Sequence, residues 1–295
     1  MDQSENPMAG SLADAWRRHE RRWRDNKFVY AVISRRSRGI SVGINLNPDK
    51  ACNFDCLYCQ VDRAVPSFVR NVDLGQLEEE LDYILQAERN GSLYEDSPFN
   101  ILPSGGRGIR DLAFSGNGEP TAFPRFDEAV RIAAQARQRF GLNSAQIILL
   151  TNAAYLDKPN VCEALALMDA NNGEIWAKLD AGTEAYFRTV NRAHVPLQKI
   201  LDNILAAARI RPLVLQSLWF RIEGRIPPAE EIESYCAHLK RILASGGRIK
   251  TLQLYTIARN PANTSAAPLV NEDLKQIASV VQARVPVPVE IFLGT

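Results

Sequence analysis

Histidine is scarce in this chain of 295 residues. His19, His194 and His238 are the only three, and none stands close to the one cluster of cysteines. A structural zinc site wants four ligands, usually in C-x2-C pairs, and no local set supplies them. Charge of one sign is also lacking. Lys plus Arg number 35 against 34 Asp plus Glu, a formal net charge of +1, so no global field draws the protein to nucleic acid or membrane. Cysteines number five, three of them together, which excludes a disulfide framework and points to a reducing compartment with a metal site. Apolar runs such as Ile147 to Leu150 are far too short to span a bilayer. No apolar core follows Met1, and Asp2, Glu5, Asp14, Glu20 and Asp25 argue against a transit peptide, so the expected location is cytoplasmic. Linkers and internal repeats are missing too. With 46% hydrophobic residues, one core of barrel size is expected.

What the chain does have is Cys52-Asn-Phe-Asp-Cys56-Leu-Tyr58-Cys59, a C-x3-C-x2-C run just after a strand-like stretch. Three thiolates can hold three irons of a cubane cluster and leave the fourth iron without a protein ligand. Such clusters normally take four cysteines. Cys162 and Cys236 lie far along the chain inside helical patterns and read as buried thiols.

In chain order, residues 1–27 form a polar, basic arm, with a short helix expected from Ala13 to Lys27. It carries Trp16, Arg17, Arg18, Arg21, Arg22, Trp23 and Arg24, a solvated face that packs two tryptophans onto the domain in preference to an anion-binding arm. Residues 28–295 then read as a single domain. Phe28 to Ser34 and Ile40 to Leu46 are β-branched runs around Arg35-Arg-Ser-Arg38-Gly39, a hairpin with a basic tip. The N-terminal end of the second strand points away from the mouth, so the tip is expected at the closed face unless the hairpin folds across. Leu74, Leu77, Leu81, Ile84 and Leu85 keep helical spacing. Strands follow at 111–114, 146–150, 174–179, 213–222, 251–255 and 287–293, with helices after Pro124 and Pro159, from Pro196 and Pro228, and at 271–284. Six strand–helix units from Ile40 onward argue for a parallel sheet with right-handed crossovers. The fold class expected is α/β, a partial (β/α)6 barrel preceded by the arm and hairpin. Reactive residues of such barrels gather at the strand C-termini, and the polar segments here do so.

The cysteine run, with Tyr58 before its third cysteine, resembles that of the radical S-adenosylmethionine superfamily. Phe114-Ser-Gly116-Asn117-Gly118-Glu119-Pro-Thr121 resembles that family's Gly-Gly-Glu motif with Asn117 inserted. Ile44-Asn-Leu-Asn-Pro through Gln60, Lys178-Leu-Asp180 and Leu254-Tyr-Thr-Ile-Ala-Arg259 look most like iron–sulfur oxidoreductases related to the tRNA wybutosine-synthesis enzyme. The resemblance covers roughly residues 28–293 and implies a partial (β/α)6 barrel independently. It implies one [4Fe-4S] cluster on Cys52, Cys56 and Cys59, with methionine's amino and carboxylate groups chelating the open iron. An electron from the reduced cluster would then release methionine and a 5′-deoxyadenosyl radical. Gly116, Asn117, Gly118, Glu119 and Asn152 are implied to bind S-adenosylmethionine, the glycines by letting backbone approach the methionine ammonium. Lys178 would meet the methionine carboxylate and Asp180 the ribose, or else the two form a local ion pair at a strand end. Tyr58 and the backbone of Gln253 would flank adenine, or Tyr58 packs the cysteine loop.

Departures bear on the substrate. The wybutosine enzyme carries a second cluster on upstream cysteines, and its eukaryotic form a flavodoxin-like domain; neither is expected here. An unidentified small-molecule substrate is favoured, with an electron donor such as flavodoxin or ferredoxin. RNA or nucleotide modification, activation of a partner protein and a non-enzymatic cluster carrier or redox sensor are the alternatives; no membrane partner is expected. A carrier would have no use for a nucleotide cleft, which the turn at Gly116 to Glu119 suggests.

Overall fold

The computed structural model describes Leu12, Ala15, Arg21 and residues 23–259 and 261–294. Trp16, Arg17, Arg18 and Arg22 of the expected helical arm lie outside the described residues. Of the described residues there, Leu12 and Ala15 are helical, whereas residues 23–27 form a turn, with Arg24 at φ 48°. Trp23 is nevertheless buried and rests on Tyr83, ring centroids 4.8 Å apart.

The hairpin forms as its two β-branched runs suggest. Strand β1 (Val29–Ser34) pairs antiparallel with β2 (Gly39–Ile44), from Val29 opposite Ile44 to Ser34 opposite Gly39. From β2 the sheet continues through β3 (Ile109–Phe114), β4 (Gln146–Thr151), β5 (Gly173–Lys178), β6 (Leu213–Leu218), β8 (Ile249–Tyr255) and β10 (Val289–Phe292), each parallel to its neighbour. A separate ribbon pairs β7 (Phe220–Ile222) with β9 (Ala266–Pro268). Between the strands run α1 (Leu74–Asn90), α2 (Phe126–Arg139), α3 (Pro159–Asp169), α4 (Glu184–Asn191), α5 (Leu197–Ile210), α6 (Ala229–Ala244) and α7 (Asn271–Arg284). The eight-stranded order is β1-β2-β3-β4-β5-β6-β8-β10, with β1 and β10 as unpaired edges, so the sheet is an open, partial barrel. This is the α/β architecture read from the alternation. None of the described helices is long and apolar enough to cross a membrane.

Two elements depart from expectation. The run Leu213 to Ile222 is not one strand. It breaks at Trp219, whose N–H donates to Tyr255 O at 2.8 Å, and β7 then leaves the main sheet. Helix α4 has only eight residues, too few for a clear period, and was not anticipated; Thr183 caps it by accepting from Tyr186 N.

Helix α1 buries Leu74, Leu77, Leu81, Ile84 and Leu85. Asp73 starts it, accepting from Gln76 N, and Gly91 at φ 87° ends it. The same face buries Glu80, a position a binary pattern would assign to solvent. Its carboxylate accepts from the backbone N–H of Lys27 (3.0 Å), Phe28 (2.7 Å) and Val29 (3.1 Å). One side chain thus receives the chain as it enters β1.

The hairpin tip begins at the strand-start face, where Arg36 and Ser37 meet Asp111, Gln146 and Lys250, and folds across the barrel from there. Arg35 Nη1 donates to Leu293 O at 2.8 Å, and Arg38 reaches Glu290 at 4.0 Å, both at the far edge of the sheet. Arg36 enters the barrel, donating to Gln216 Oε1 at 3.0 Å over the rings of Trp176 and Tyr255. The physical reason is the open sheet: β10 and β1 do not pair, and the arginines bridge the gap.

Glu80→Ala should lower the unfolding free energy by about 3 kcal/mol, because buried donors lose a charged acceptor. Urea unfolding monitored by tryptophan fluorescence checks this; an unchanged midpoint would assign the entry of β1 to apolar packing alone.

Candidate active site

The cysteine loop leaves the C-terminal end of β2 and docks on α4. Asp55 N donates to Asn191 O (3.3 Å) and Leu57 N to Val190 O (2.9 Å); on the other side Ala262 N donates to Cys59 O (3.0 Å). Within the loop Cys59 N closes a turn onto Cys56 O at 2.9 Å. All three thiols are half-buried. Burial pushes the Cys56 thiol up to about 12, the nearby Asp180 charge adding to it against bonds from Asn191 and Tyr58. Burial likewise raises Cys52, which feels Glu119, Arg63 and Cys59. As free thiols Cys52 and Cys56 stay protonated at neutral pH; a metal centre is what makes such groups thiolates.

Two residues the sequence reading missed face the sulfurs. Arg63 Nη1 donates to Cys59 Sγ at 3.2 Å, and Asn191 Nδ2 lies 3.5 Å from Cys56 Sγ. Burial disfavours the Arg63 charge, but its bond to Cys59 and the charges of Cys59, Cys52 and Asp55 together raise its pKa. Donors aimed at sulfur are what a thiolate-ligated cluster calls for. Among the described residues, no three His, Cys, Asp or Glu side chains converge as ligands of a single ion. Three cysteines spread along one loop, with donors on their sulfurs, fit a polynuclear iron–sulfur cluster.

The turn after β3 nests on this loop. A Cβ on Gly116 would lie 2.2 Å from Asn45 Oδ1, and one on Gly118 would lie 2.1 Å from Ala51 O. The glycines therefore let the turn lie directly against residues 45–51, a reason different from the open approach to a ligand. Asn117 N donates to Asn45 Oδ1 at 3.1 Å, while Asn117 Oδ1 accepts from Arg21. Glu119 is buried and fully engaged. It accepts from Thr121 N (3.1 Å), the Thr121 hydroxyl, Thr151 Oγ1 (2.7 Å) and Asn152 N (2.7 Å). Its carboxylate ties the turn to the end of β4. Asn152 Nδ2 donates in turn to Asn53 Oδ1 in the cysteine loop, at 2.8 Å.

Lys178 and Asp180, at the end of β5, form an ion pair of 3.0 Å with the carboxylate fully buried. Asp180 Oδ1 also accepts from Leu218 N (2.9 Å), and Oδ2 accepts from Asn191 (3.1 Å) and from the Tyr58 hydroxyl. Lys178 Nζ donates to Tyr255 OH at 2.6 Å and stands over the rings of Tyr58 and Tyr255. Burial works against its charge, yet Asp180 and Tyr255 together hold its pKa above the ordinary lysine value. The local ion pair is thus present. Tyr58 packs the loop against Phe220 of β7 while its hydroxyl reaches the pair.

Gln253 faces the barrel interior. Gln216, Gln253 and Glu290 are register partners on β6, β8 and β10, with Lys178 opposite Gln216 on β5. Arg36 donates to Gln216, Gln216 to Gln253 Oε1 (2.7 Å), and Gln253 to Glu290 Oε2 (3.2 Å). Next to this row lies Asp111 of β3, 1% exposed. Ser41 Oγ donates to its Oδ1 at 2.5 Å, but its Oδ2 has no partner among the described residues. Burial pushes the Asp111 carboxyl up to about 6, despite the Ser37 and Ser41 hydroxyls and the Arg36 charge.

Arg63 stands four positions after Cys59 and Asn45 in the Asn-Leu-Asn stretch, so both were within reach of sequence reading. Asn191 and Asp111 were not, because only the fold brings them to the site. Glu223 and Arg225 instead form an exposed ion pair of 3.3 Å in a turn beyond β7. Cys236 is buried as expected, but Cys162 is exposed, on the solvent side of α3 where Val161, Ala164 and Leu165 point inward.

No family model matches the chain. A UPF0026 protein of Helicobacter pylori is 28% identical over 249 residues, 83% of this chain and 70% of that protein. The crystal structure of Streptococcus suis SuiB bound to S-adenosylmethionine superposes with a TM-score of 0.59 at 12% identity. That match covers 85% of this chain, which spans only half of SuiB. The structure of TYW1 with a lysine-pyruvate adduct superposes at 0.50 with 15% identity, covering 84% of this chain and 74% of TYW1. The resemblance read from the motifs is therefore matched by the fold.

Two outcomes follow from these geometries. Asp180→Ala strands three donors and a buried lysine and should cost about 3–5 kcal/mol, measured by chemical denaturation. A loss no larger than that of an exposed carboxylate would show that water fills the gap. Asp111 titrates near 6 in the fold against its ordinary 3.8, so the folded state favours its protonated form. Its stabilisation is present below about pH 4 and lost as pH rises through 6, about 3 kcal/mol in all. Asp111→Asn should remove that decline in thermal unfolding between pH 4 and 7; parallel wild-type and variant curves would contradict it.

Proposed function

We propose that this chain is an enzyme holding one [4Fe-4S] cluster on Cys52, Cys56 and Cys59, with S-adenosylmethionine at the iron that these cysteines leave open. The observation that carries the reading is the cysteine loop at the C-terminal mouth of an open parallel barrel, hydrogen-bonded through Asn53 and Asn152 to the Gly116–Glu119 turn. Bound there, the cluster and cofactor supply the reductive carbon–sulfur cleavage that yields methionine and a 5′-deoxyadenosyl radical.

The chain's own residues hold and shape that site. Arg63 and Asn191 donate to the cysteine sulfurs and so favour thiolates. Glu119 fixes the turn by accepting from both its sides, and Gly116 and Gly118 keep the turn against the loop. Asp180 positions Tyr58, Asn191 and the Lys178 ammonium, whose charge suits a carboxylate such as methionine's. With Tyr255 these residues roof the barrel interior and limit access of water.

A small molecule is the substrate class that the barrel's polar interior supports. A cavity of about 320 Å³, lined by Arg36, Asp111, Glu174, Trp176, Lys250 and Gln253, opens among the strand starts, at the end of the barrel opposite the cysteine loop. That volume suits a small ligand carrying several polar groups. A one-electron donor such as a flavodoxin or ferredoxin would reduce the cluster.

Anaerobic reconstitution should give about four irons and four sulfides per chain. Replacing Cys52, Cys56 and Cys59 together by Ala should abolish uptake, while Cys162→Ala and Cys236→Ala should not. Reduced wild type should form 5′-deoxyadenosine from S-adenosylmethionine. A full cluster without that product would favour a carrier or redox sensor, and iron retained by the triple variant would remove the assignment of ligands.

A further inference from the structure

At the side of the mouth lies a second cavity, about 90 Å³, that the proposed cluster and cofactor residues leave unused. Arg35 and Arg36 from the hairpin tip and Arg259 from the segment after β8 line it, together with Ser34, Gln60 and Tyr255. No acidic residue is among its described lining. Arg36 is fixed by Gln216 and by the rings of Trp176 and Tyr255. Arg35 spends one donor on Leu293 O. The Arg259 guanidinium makes no hydrogen bond or ion pair within the described residues, although its backbone carbonyl accepts from Gln60.

A guanidinium stays charged at any physiological pH, so this convergence costs free energy that no acid of the described lining offsets. Burial first, then the charges of Arg21, Arg36 and Arg35, lower the Arg259 pKa to about 10. Neighbouring clusters of opposite design occur in the same barrel, where Arg38 meets Glu290 and Lys178 meets Asp180. Here the missing negative charge is left to a ligand. The planar fork of arginine matches the two or three oxygens of a carboxylate or phosphate.

We infer that Arg35, Arg36 and Arg259 bind an oxyanion group, carboxylate or phosphate ester, of the small-molecule substrate. The substrate role rests on the function proposed above; the anion site itself does not. Gln60, beside Cys59, lines the same cavity, so the anionic end is held next to the cysteine loop. Arg36 also borders a smaller interior cavity, about 60 Å³, with Asp111 and Ser115, so the remainder of the ligand can extend inward. The enclosed size suits a single anionic group better than a polynucleotide backbone, which would be tracked by an outward-facing basic stripe.

The test is a calorimetric titration of the full, cluster-reconstituted chain with inorganic phosphate and, separately, malonate, at constant ionic strength. One of the two should bind saturably at one site per chain. Tighter phosphate points to a phosphate ester and tighter malonate to a carboxylate. Arg259→Gln and Arg36→Gln should each weaken binding at least about tenfold, as lost charge-assisted bonds do. Arg259→Lys should fall between, keeping the charge without the fork. Absence of saturable binding by the wild type overturns the inference whether or not the variants fold. So does binding that the variants leave unchanged. Displacement of the anion by S-adenosylmethionine would give the cavity to the cofactor's own carboxylate and sink the substrate role. Steeply salt-dependent tRNA binding with neither small anion bound would overturn it in favour of RNA. A protein that cleaves S-adenosylmethionine yet ignores both anions refutes this inference alone. One that binds anion at these arginines but takes up no iron refutes the radical reading and supports the anion site.

Discussion

One buried carboxylate joins the parts of the mouth. Asp180, at the end of β5, takes hydrogen bonds from Tyr58 of the cysteine loop, Asn191 of α4 and the backbone of Leu218 on β6, and pairs with Lys178. Burying a charge is tolerated only when it is paired and hydrogen-bonded, and here both conditions are met. Because Asn191 also reaches Cys56 Sγ, the position of the cysteine loop and the state of this carboxylate are linked. Glu119 does the same work on the other side, joining the turn after β3 to β4. The mouth is thus held by two carboxyl groups sunk between strand ends.

The open sheet sets the second constraint. A closed barrel fills its interior with branched apolar side chains. In this one the interior carries Asp111, Lys178 and a row of Arg36, Gln216, Gln253 and Glu290 connected across β6, β8 and β10 by side-chain hydrogen bonds. Such a row gives up apolar burial in exchange for polar groups at fixed positions, the usual mark of a binding interior. The unpaired edges β1 and β10 are what make room for the hairpin arginines. Their bridging contacts place positive charge at the side entrance while the chain as a whole stays nearly neutral.

Much of the fold was legible because strands and helices announce themselves by period. The six units, the hairpin and the buried face of α1 follow from alternation and from the prolines that open helices at Pro159, Pro196 and Pro228. Helix α4 was missed because eight residues carry too short a pattern. The break at Trp219 was missed because an apolar, β-branched run reads the same whether it stays in one sheet or leaves it.

For the site, local sequence determined the three cysteines on one loop, the glycine-containing turn and their common place at the strand ends, since these depend only on spacing and strand direction. What the glycines are for was decided by the fold, because only there do Asn45 and Ala51 press against them. The same holds for the donors on the sulfurs, the pairing of Lys178 with Asp180 and the course of the hairpin tip. Arg36 and Gln216 stand 180 positions apart in the chain, and Arg35 and Leu293 stand 258 apart. No local pattern encodes such contacts. They arise from the curvature of the open sheet, which sets how far its two edges stand apart and which side chains must span the gap.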